Sequence, residues 1–286
     1  MTTMLRRSFM LLGCSALLAS SLACTKQKGD SKQTITIKGS DTMVILGQKW
    51  AEVYMKDHPG TTIQVTGGGS GTGISALVNG STDVCASSRP MEDKEKDQIK
   101  SQRNATVVET KVALDALAVF VNEKSTVQEI DLDSLAKIYL GQTTNWKDVG
   151  GPDHSIAIYG RENNSGTYAY FKEHVLAKKD FGSAVQPLAG TSAVVNAIAG
   201  DEFGIGYGGI AYAKGIRLLK VKKTKDSPAI EPKLETATDG TYPIARYLYL
   251  YTAGEPTGLT KDFVTWTVSD AGQKVVSDVG YYPLPK

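Results

Sequence analysis

From residue 34 onward, apolar and polar positions fall into strand–turn–helix units in series. Thr34-Ile35-Thr36-Ile37 alternates with the period of a half-buried strand and runs into Gly39-Ser40-Asp41-Thr42. Val44, Ile45, Trp50, Val53 and Tyr54 then recur at helical spacing until Pro59-Gly60 stops the helix. Residues 62–66 (TIQVT) predict a second strand, which meets the glycine run 67–73 (GGGSGTG). After that run, Ile74, Ala76, Leu77 and Val78 predict a helix stopping at Gly80. Residues 83–86 (DVCA) read as a short buried strand ending at Ser87-Ser88-Arg89-Pro90, with a charged helix behind it.

This alternation argues for an α/β fold with mixed, mainly parallel sheets flanked by helices. Two longer apolar strands, 112–121 and 244–251, read as the crossings into and out of a second lobe. Between them the pattern predicts a helix over 132–140, a strand over 155–159 and a helix from the turn 161–167 through Val175. A helix over 193–199 and a glycine-rich strand over 203–207 follow, while 224–241 reads as a turn-rich surface stretch. Residues 257–279 read as two short helices returning to the first lobe. The expected organisation is lobe I from 34–112 plus 248–286, with lobe II, 113–247, inserted.

Residues 1–23 are laid out as a secretory signal peptide: Arg6 and Arg7, an apolar run over 9–22, then small residues. The run is shorter than the roughly 20 apolar residues that span a bilayer. Cys24 follows Ser-Leu-Ala, the setting in which a bacterial lipoprotein cysteine is acylated. Leu11-Leu12-Gly13-Cys14 also fits the local pattern, but cleavage there would leave an apolar stretch of about five residues, below the usual ~7–15. Cys24 is therefore the expected lipidation site and 24–33 a polar tether. Arg6-Arg7-Ser8-Phe9-Met10 partly resembles a twin-arginine signal, so the export route stays open. The expected location is extracytoplasmic, in the periplasm or on the outer face of the membrane, held there by the lipid.

Lys plus Arg is 32 and Asp plus Glu 30, and removing Arg6 and Arg7 leaves the charges balanced. No cationic surplus exists to neutralise a nucleic-acid backbone, so nucleic acid is not an expected partner. Three cysteines make no disulfide framework, and no CxxC pair or His/Cys cluster suggests a metal. Cys85 reads as core packing.

The chemistry lies in the turns. Residues 39–42 (GSDT), 69–72 (GSGT), 87–89 (SSR) and 161–167 (RENNSGT) each combine small hydroxyl residues with glycine or arginine, and at least three open a predicted helix. Helix N-termini offer unpaired N–H groups and a positive dipole end. Glycine lets a ligand approach the backbone, hydroxyls add donors that rotate to suit, and arginine supplies a planar fork. Taken singly, such turns are ordinary N-caps or loops. Converged at a cleft beyond the strand ends, they would cage a small tetrahedral oxyanion.

In this order and at these separations, GSDTM, GGGSGTG, ASSRPM and RENNSGTYAYF resemble the phosphate-binding proteins of bacterial phosphate ABC importers, the PstS family. The resemblance covers nearly all of the mature chain, FGIGYGGIAYA and the closing aromatic strand included. It implies a two-lobe periplasmic-binding-protein fold with a hinge of two crossing strands. The lobes would close on one inorganic phosphate and pass it to a membrane permease driven by its ATPase. No catalysis and no cofactor are implied, and a monomer is expected. Carried over, Ser40 supplies a hydroxyl, Asp41 and Thr42 supply first-turn amides, and Ser70 is the hydroxyl of the second loop. Ser88 and Arg89 occupy the third contact, Arg161 is the charge partner, and Ser165, Gly166 and Thr167 cap the ligand from the second lobe.

One departure bears on selectivity. Some relatives carry an Asp in the segment that reads ASSRP here, where it accepts the phosphate's own proton; this chain has Ser88-Arg89. A buried acceptor rejects a ligand lacking the matching donor by ~10⁴–10⁵. Here Asp41, Glu162 or a hydroxyl takes that role, or discrimination against sulfate is weaker. A receptor for sulfate or molybdate, or a phosphate sensor without transport, stays open. Enzyme readings carry less. Residues 204–209 (GIGYGG) match GxGxxG but sit late in the chain after a helix, and residues 68–72 (GGSGT) lack the last glycine of a GxSxG elbow. No Gly-Lys-Ser/Thr follows the glycine run, and His58, His154 and His174 fall outside the anion-binding turns.

Overall fold

The structure is a computed structural model that describes residues 33–285; the expected signal peptide (1–23) and all but the last residue of the expected tether (24–33), with Cys14 and Cys24, lie outside the described residues. Strand β1 (Gln33–Gly39) buries Ile35 and Ile37, and a 3₁₀ turn (Asp41–Met43) leads into α1 (Val44–Asp57). Leu46, Trp50 and Tyr54, one helical turn apart on α1, are buried against the sheet. β2 (Thr61–Thr66), α2 (Ser70–Asn79), β3 (Val84–Ser87) and α3 (Asp93–Arg103) follow. Glu92 and Glu95 form a capping box at the start of α3.

The long strand β4 (Val107–Val121) leads to β5 (Glu129–Asp131), α4 (Leu132–Tyr139), β6 (Ala157–Arg161) and α5 (Gly166–His174). Then come β7 (Gln186–Leu188), α6 (Thr191–Gly200), β8 (Gly204–Gly209), β9 (Arg217–Lys222) and α7 (Leu234–Thr238). The chain returns through β10 (Ala245–Ala253) to α8 (Gly258–Thr267) and α9 (Asp270–Val279).

The strands lie in the order β2-β1-β3-β10-β4-β8-β6-β7. β1 is parallel to β2 and β3, and β6 is parallel to β7 and β8. β10 is antiparallel to β3 and β4. The far end of β4 carries β8 on one edge and β9 on the other, with β5 parallel to β9 beyond it. This is the mixed α/β sheet flanked by helices that the sequence implied, with the two crossing strands antiparallel to their neighbours.

β4 and β10 carry the chain between two cores. Val112, Ala113, Leu248 and Leu250 pack in one core with α1, α8 and α9, whereas Ala116, Leu117 and Ile244 pack in the other with Tyr139, Phe171 and Tyr207. Along the end of β4, Leu117, Val119 and Val121 face that second core, while Ala118 and Phe120 face a further cluster with Val194 and Ile198 of α6. Both faces are covered, which is why the strand reads as an unbroken apolar run.

Several boundaries differ from the sequence expectation. β4 begins at Val107 because VVETK, charged and partly exposed, still pairs with β10. α2 begins at Ser70, inside the glycine run. Its Gly73 presses on β1: a Cβ there would overlap the Lys38 carbonyl and lie 3.0 Å from Cys85 Sγ. The run therefore serves helix–sheet contact as well as the turn. The short strands β5, β7 and β9 carry too little alternation to be read, and the turn-rich stretch holds the brief α7. No helix among the described residues is long and apolar enough to cross a membrane.

Candidate functional site

Where β1, β2, β3 and β6 end, five hydroxyl side chains meet. Ser40 follows β1, Thr42 lies in the 3₁₀ turn, Ser70 opens α2, Ser88 follows β3, and Thr167 lies in the first turn of α5. All five are buried. Ser40 Oγ donates to Ser88 Oγ at 2.9 Å, and the Ser88 amide donates to Ser70 Oγ at 3.1 Å. Ser88 Oγ lies 3.4 Å from Ser70 Oγ and 3.5 Å from Thr167 Oγ1. Thr42 and Thr167 share a hydrogen bond of 2.8 Å. Gly166 makes this approach possible: a Cβ at that position would overlap Ser70 Oγ and stand 2.8 Å from Ser88 Oγ. The amides of Asp41 and Thr42, at the start of a helical turn, have no partner within it.

Two buried arginines flank the hydroxyls. Arg161, at the end of β6, donates from Nη1 to Thr191 Oγ1 at 2.9 Å and from Nη2 to Asp41 Oδ2 at 2.8 Å. Burial pulls its guanidinium below the ordinary arginine value, and the Asp41 charge opposes that pull. Asp41 Oδ1 accepts the Gly68 amide at 2.7 Å. Arg246, on β10, pairs with Asp115, directly opposite it on β4; Asp115 Oδ2 accepts from Nε at 3.0 Å and from Nη2 at 2.9 Å. Nη2 also donates to Thr167 Oγ1 at 3.0 Å, and Asp115 Oδ1 accepts the Ile210 amide at 3.0 Å. Full burial pushes the Asp115 carboxyl up, against Arg246 and the Ile210 amide. Asn164 adds a clasp: its carbonyl accepts the Gly71 amide at 2.9 Å, and its side-chain amide donates to Gly68 O at 3.0 Å.

The structure thus brings together Ser40, Asp41, Thr42, Ser70, Ser88, Arg161, Gly166 and Thr167. Ser165 lies beside them, but its Oγ caps α5, accepting the Thr167 and Tyr168 amides at 3.1 and 3.3 Å. The Arg89 side chain stands apart from the cluster. Its fork is held by Glu95, with Nη1–Oε2 at 2.8 Å and Nη2–Oε1 at 2.7 Å, and Nη1 also donates to Pro90 O. A guanidinium held in this bidentate way is not turned to the hydroxyls. Of the acceptors the sequence left open, Glu162 is exposed and both Asp41 oxygens are engaged, so hydroxyl oxygens are the acceptors that face the cluster.

Sequence reasoning missed Arg246, Asp115, Thr191 and Asn164. A signal for the first two was present: each is a lone charge inside an apolar strand, and buried charges are paired. The glycine-rich 204–209 segment is the fully buried strand β8, and His58, His154 and His174 are exposed.

Helix-flanked mixed sheets, two crossing strands and a donor-rich cluster at the strand ends define a binding protein of the periplasmic-binding-protein class. The model of the PBP superfamily domain matches residues 25–271. The chain is 33% identical over 264 residues to the phosphate-binding protein PstS of Pseudomonas aeruginosa, covering 86% of this chain and 82% of that one. It is 34% identical over 265 residues to PstS of Bacillus subtilis, covering 90% and 83%. Among solved structures, a Clostridium perfringens protein with bound phosphate superposes with a TM-score of 0.81 at 24% identity, over 88% of this chain and 100% of that one. PstS of Borrelia burgdorferi superposes with a TM-score of 0.58 at 28% identity, over 89% and 100%. The chain belongs to the PstS family of phosphate-binding proteins.

Proposed function

We propose that this chain captures inorganic phosphate outside the cytoplasmic membrane and hands it to the permease of an ABC importer, without catalysing a reaction. The observation that carries this reading is the convergence of five buried hydroxyls from separate strand ends beside the Arg161 guanidinium. Hydroxyls can donate to a phosphate oxygen or accept from its O–H, first-turn amides of Asp41 and Thr42 add fixed donors, and Arg161 supplies charge. The phosphate bound by the Clostridium perfringens neighbour supports the choice of anion. Cys24 would carry the lipid that holds the protein, as a monomer, at the membrane.

We place the lobe boundaries at 112/113 on β4 and 247/248 on β10, close to where neighbouring residues change core. Closure is favoured because a single anion touches groups from both lobes at once. One observation favours a second reading, a less exclusive oxyanion receptor: hydroxyls, not a free carboxylate, face the cluster. Such acceptors tolerate sulfate, because each can turn its proton toward the ligand.

Thermal unfolding with phosphate, sulfate and a nicotinamide nucleotide added separately tests both readings. A ligand at a thousandfold excess over Kd stabilises by ~4 kcal/mol. A shift with phosphate alone supports the receptor. A comparable shift with sulfate supports the less exclusive receptor, and a shift with the nucleotide alone overturns both.

A further inference from the structure

The Arg246–Asp115 pair does more than fill the crossing. The Arg246 side chain is 2% exposed, and its Nη1 is buried with no hydrogen-bond partner among the described residues. Asp115 Oδ2 occupies one edge of the planar guanidinium, taking Nε and one Nη2 proton. The other Nη2 proton goes to Thr167 Oγ1. In a planar guanidinium that proton lies on the edge shared with Nη1, so the Nη1–Nη2 edge is turned toward Thr167. Thr167 Oγ1 is 2.8 Å from Thr42 Oγ1 and 3.5 Å from Ser88 Oγ, at the heart of the hydroxyl cluster. A buried donor without a partner is costly, and an anion oxygen beside Thr167 would satisfy it with a charge-assisted bond.

We propose that Arg246 is a direct ligand of the anion, a second guanidinium beside Arg161, presented from β10 by Asp115. This rests on the receptor reading above and deepens it. Asp115 fixes the plane of the fork, as its two bonds from one guanidinium edge require, while its Oδ1 stays anchored on the Ile210 amide. Tyr170 supports the fork from one side, its ring centroid 5.2 Å from Arg246 Cζ. The bound anion is then neutralised by two cations, each already shared with a carboxylate.

The test is calorimetric titration of the full-length protein with potassium phosphate, for wild type, R246K and the double variant D115N/R246Q. The double variant removes both charges and keeps an acceptor for the Ile210 amide, so no lone charge is left buried. The expected result is a loss of about 30-fold or more in phosphate affinity for the folded double variant. R246K keeps the charge but has one nitrogen to divide between Asp115 and the anion, and should fall between the two. Should the double variant fail to fold, R246K decides alone: a loss of about tenfold or more supports the contact, and wild-type affinity overturns it. Wild-type affinity in the folded double variant also overturns it, with the receptor reading intact. No phosphate binding by the wild type would overturn the receptor reading, and this inference with it.

Discussion

Alanine at position 166 separates the energetics of the fold from those of the closed site. Gly166 opens α5, and its φ is not among the positive values, so an L side chain meets no backbone penalty there. The obstacle is across the cleft. The added Cβ would overlap Ser70 Oγ and stand 2.8 Å from both Ser70 Cβ and Ser88 Oγ, where ordinary contact begins at 3.4 Å. Ser70 and Ser88 are fully buried and joined through the Ser88 amide, so neither can turn aside alone. Overpacking of this kind costs about 1–3 kcal/mol, which corresponds to a ~5–150-fold weaker phosphate affinity. If the lobes separate when no anion is bound, the methyl is freed from these contacts, and Ala is the better helix former by up to ~1 kcal/mol. Gly166→Ala should therefore weaken phosphate binding in a calorimetric titration while leaving the ligand-free melting temperature unchanged or slightly higher. Wild-type affinity would refute the closed-site geometry. A large loss of ligand-free stability would show instead that the contact between 166 and 70/88 belongs to the fold whether or not anion is bound.

Arg161→Ala should keep the fold and cost about 2–5 kcal/mol in phosphate binding, as for a buried charge partner, read by the same titration. Arg89→Gln should leave phosphate affinity within about twofold and lower stability by about 1 kcal/mol, because its fork is held by Glu95 with both side chains 13% exposed; a large loss of affinity would restore Arg89 as a ligand. Burial pushes the Glu95 carboxyl up, but the bonds from Arg89 and the Glu92 amide outweigh it and hold it below the usual carboxylate range. A carboxylate depressed in the folded state stabilises fully above its unfolded value, near pH ~4.3, and loses that stabilisation as pH falls through its folded value. Melting temperatures measured from about pH 6 down to 3 should fall less steeply in Glu95→Gln than in wild type; parallel slopes would contradict the assignment.

The strand–helix series was legible because period 2 and period 3.6 are written plainly from Thr34 to Ala86. The start of α2 was not, since glycine reads as loop while Gly73 serves close packing on β1, a tertiary demand that local propensity does not express. The hydroxyl residues of the site were legible from their turns. The setting of Arg89 was not: Glu95, six residues on in a helix of mixed charge, captures the fork, and a one-dimensional reading does not say which carboxylate an arginine will meet. Arg246 and Asp115 were hidden in the opposite sense, each looking like an isolated flaw in an apolar strand until the antiparallel register of β4 and β10 set them face to face.

That register also says why the cluster can hold an anion without being built from bare positive charge. Arg161 leans on Asp41 and Arg246 on Asp115, so each cation has a partner before any ligand is present. An unpaired buried arginine would carry a desolvation cost of several kcal/mol, and the fold would have to absorb it at all times. Pairing removes most of that cost and aims each fork. The two pairs differ in where they stand. Asp115 and Arg246 sit on adjacent strands and are both almost fully buried, so their bond holds whatever the lobes do. Asp41 belongs to the turn after β1 and Arg161 to the end of β6, and Asp41 keeps 19% of its side chain exposed. Their bond joins the turn after β1 to the end of β6, with the Arg161 side chain 1% exposed. It is one of several bonds between the two sides: Asn164 donates to Gly68 O and accepts the Gly71 amide, and Thr42 and Thr167 share a hydrogen bond. An anion that bridges the hydroxyls of Ser40, Thr42, Ser70 and Ser88 on one side and Thr167 on the other adds to these bonds only when the two sides meet, so occupancy favours the closed state.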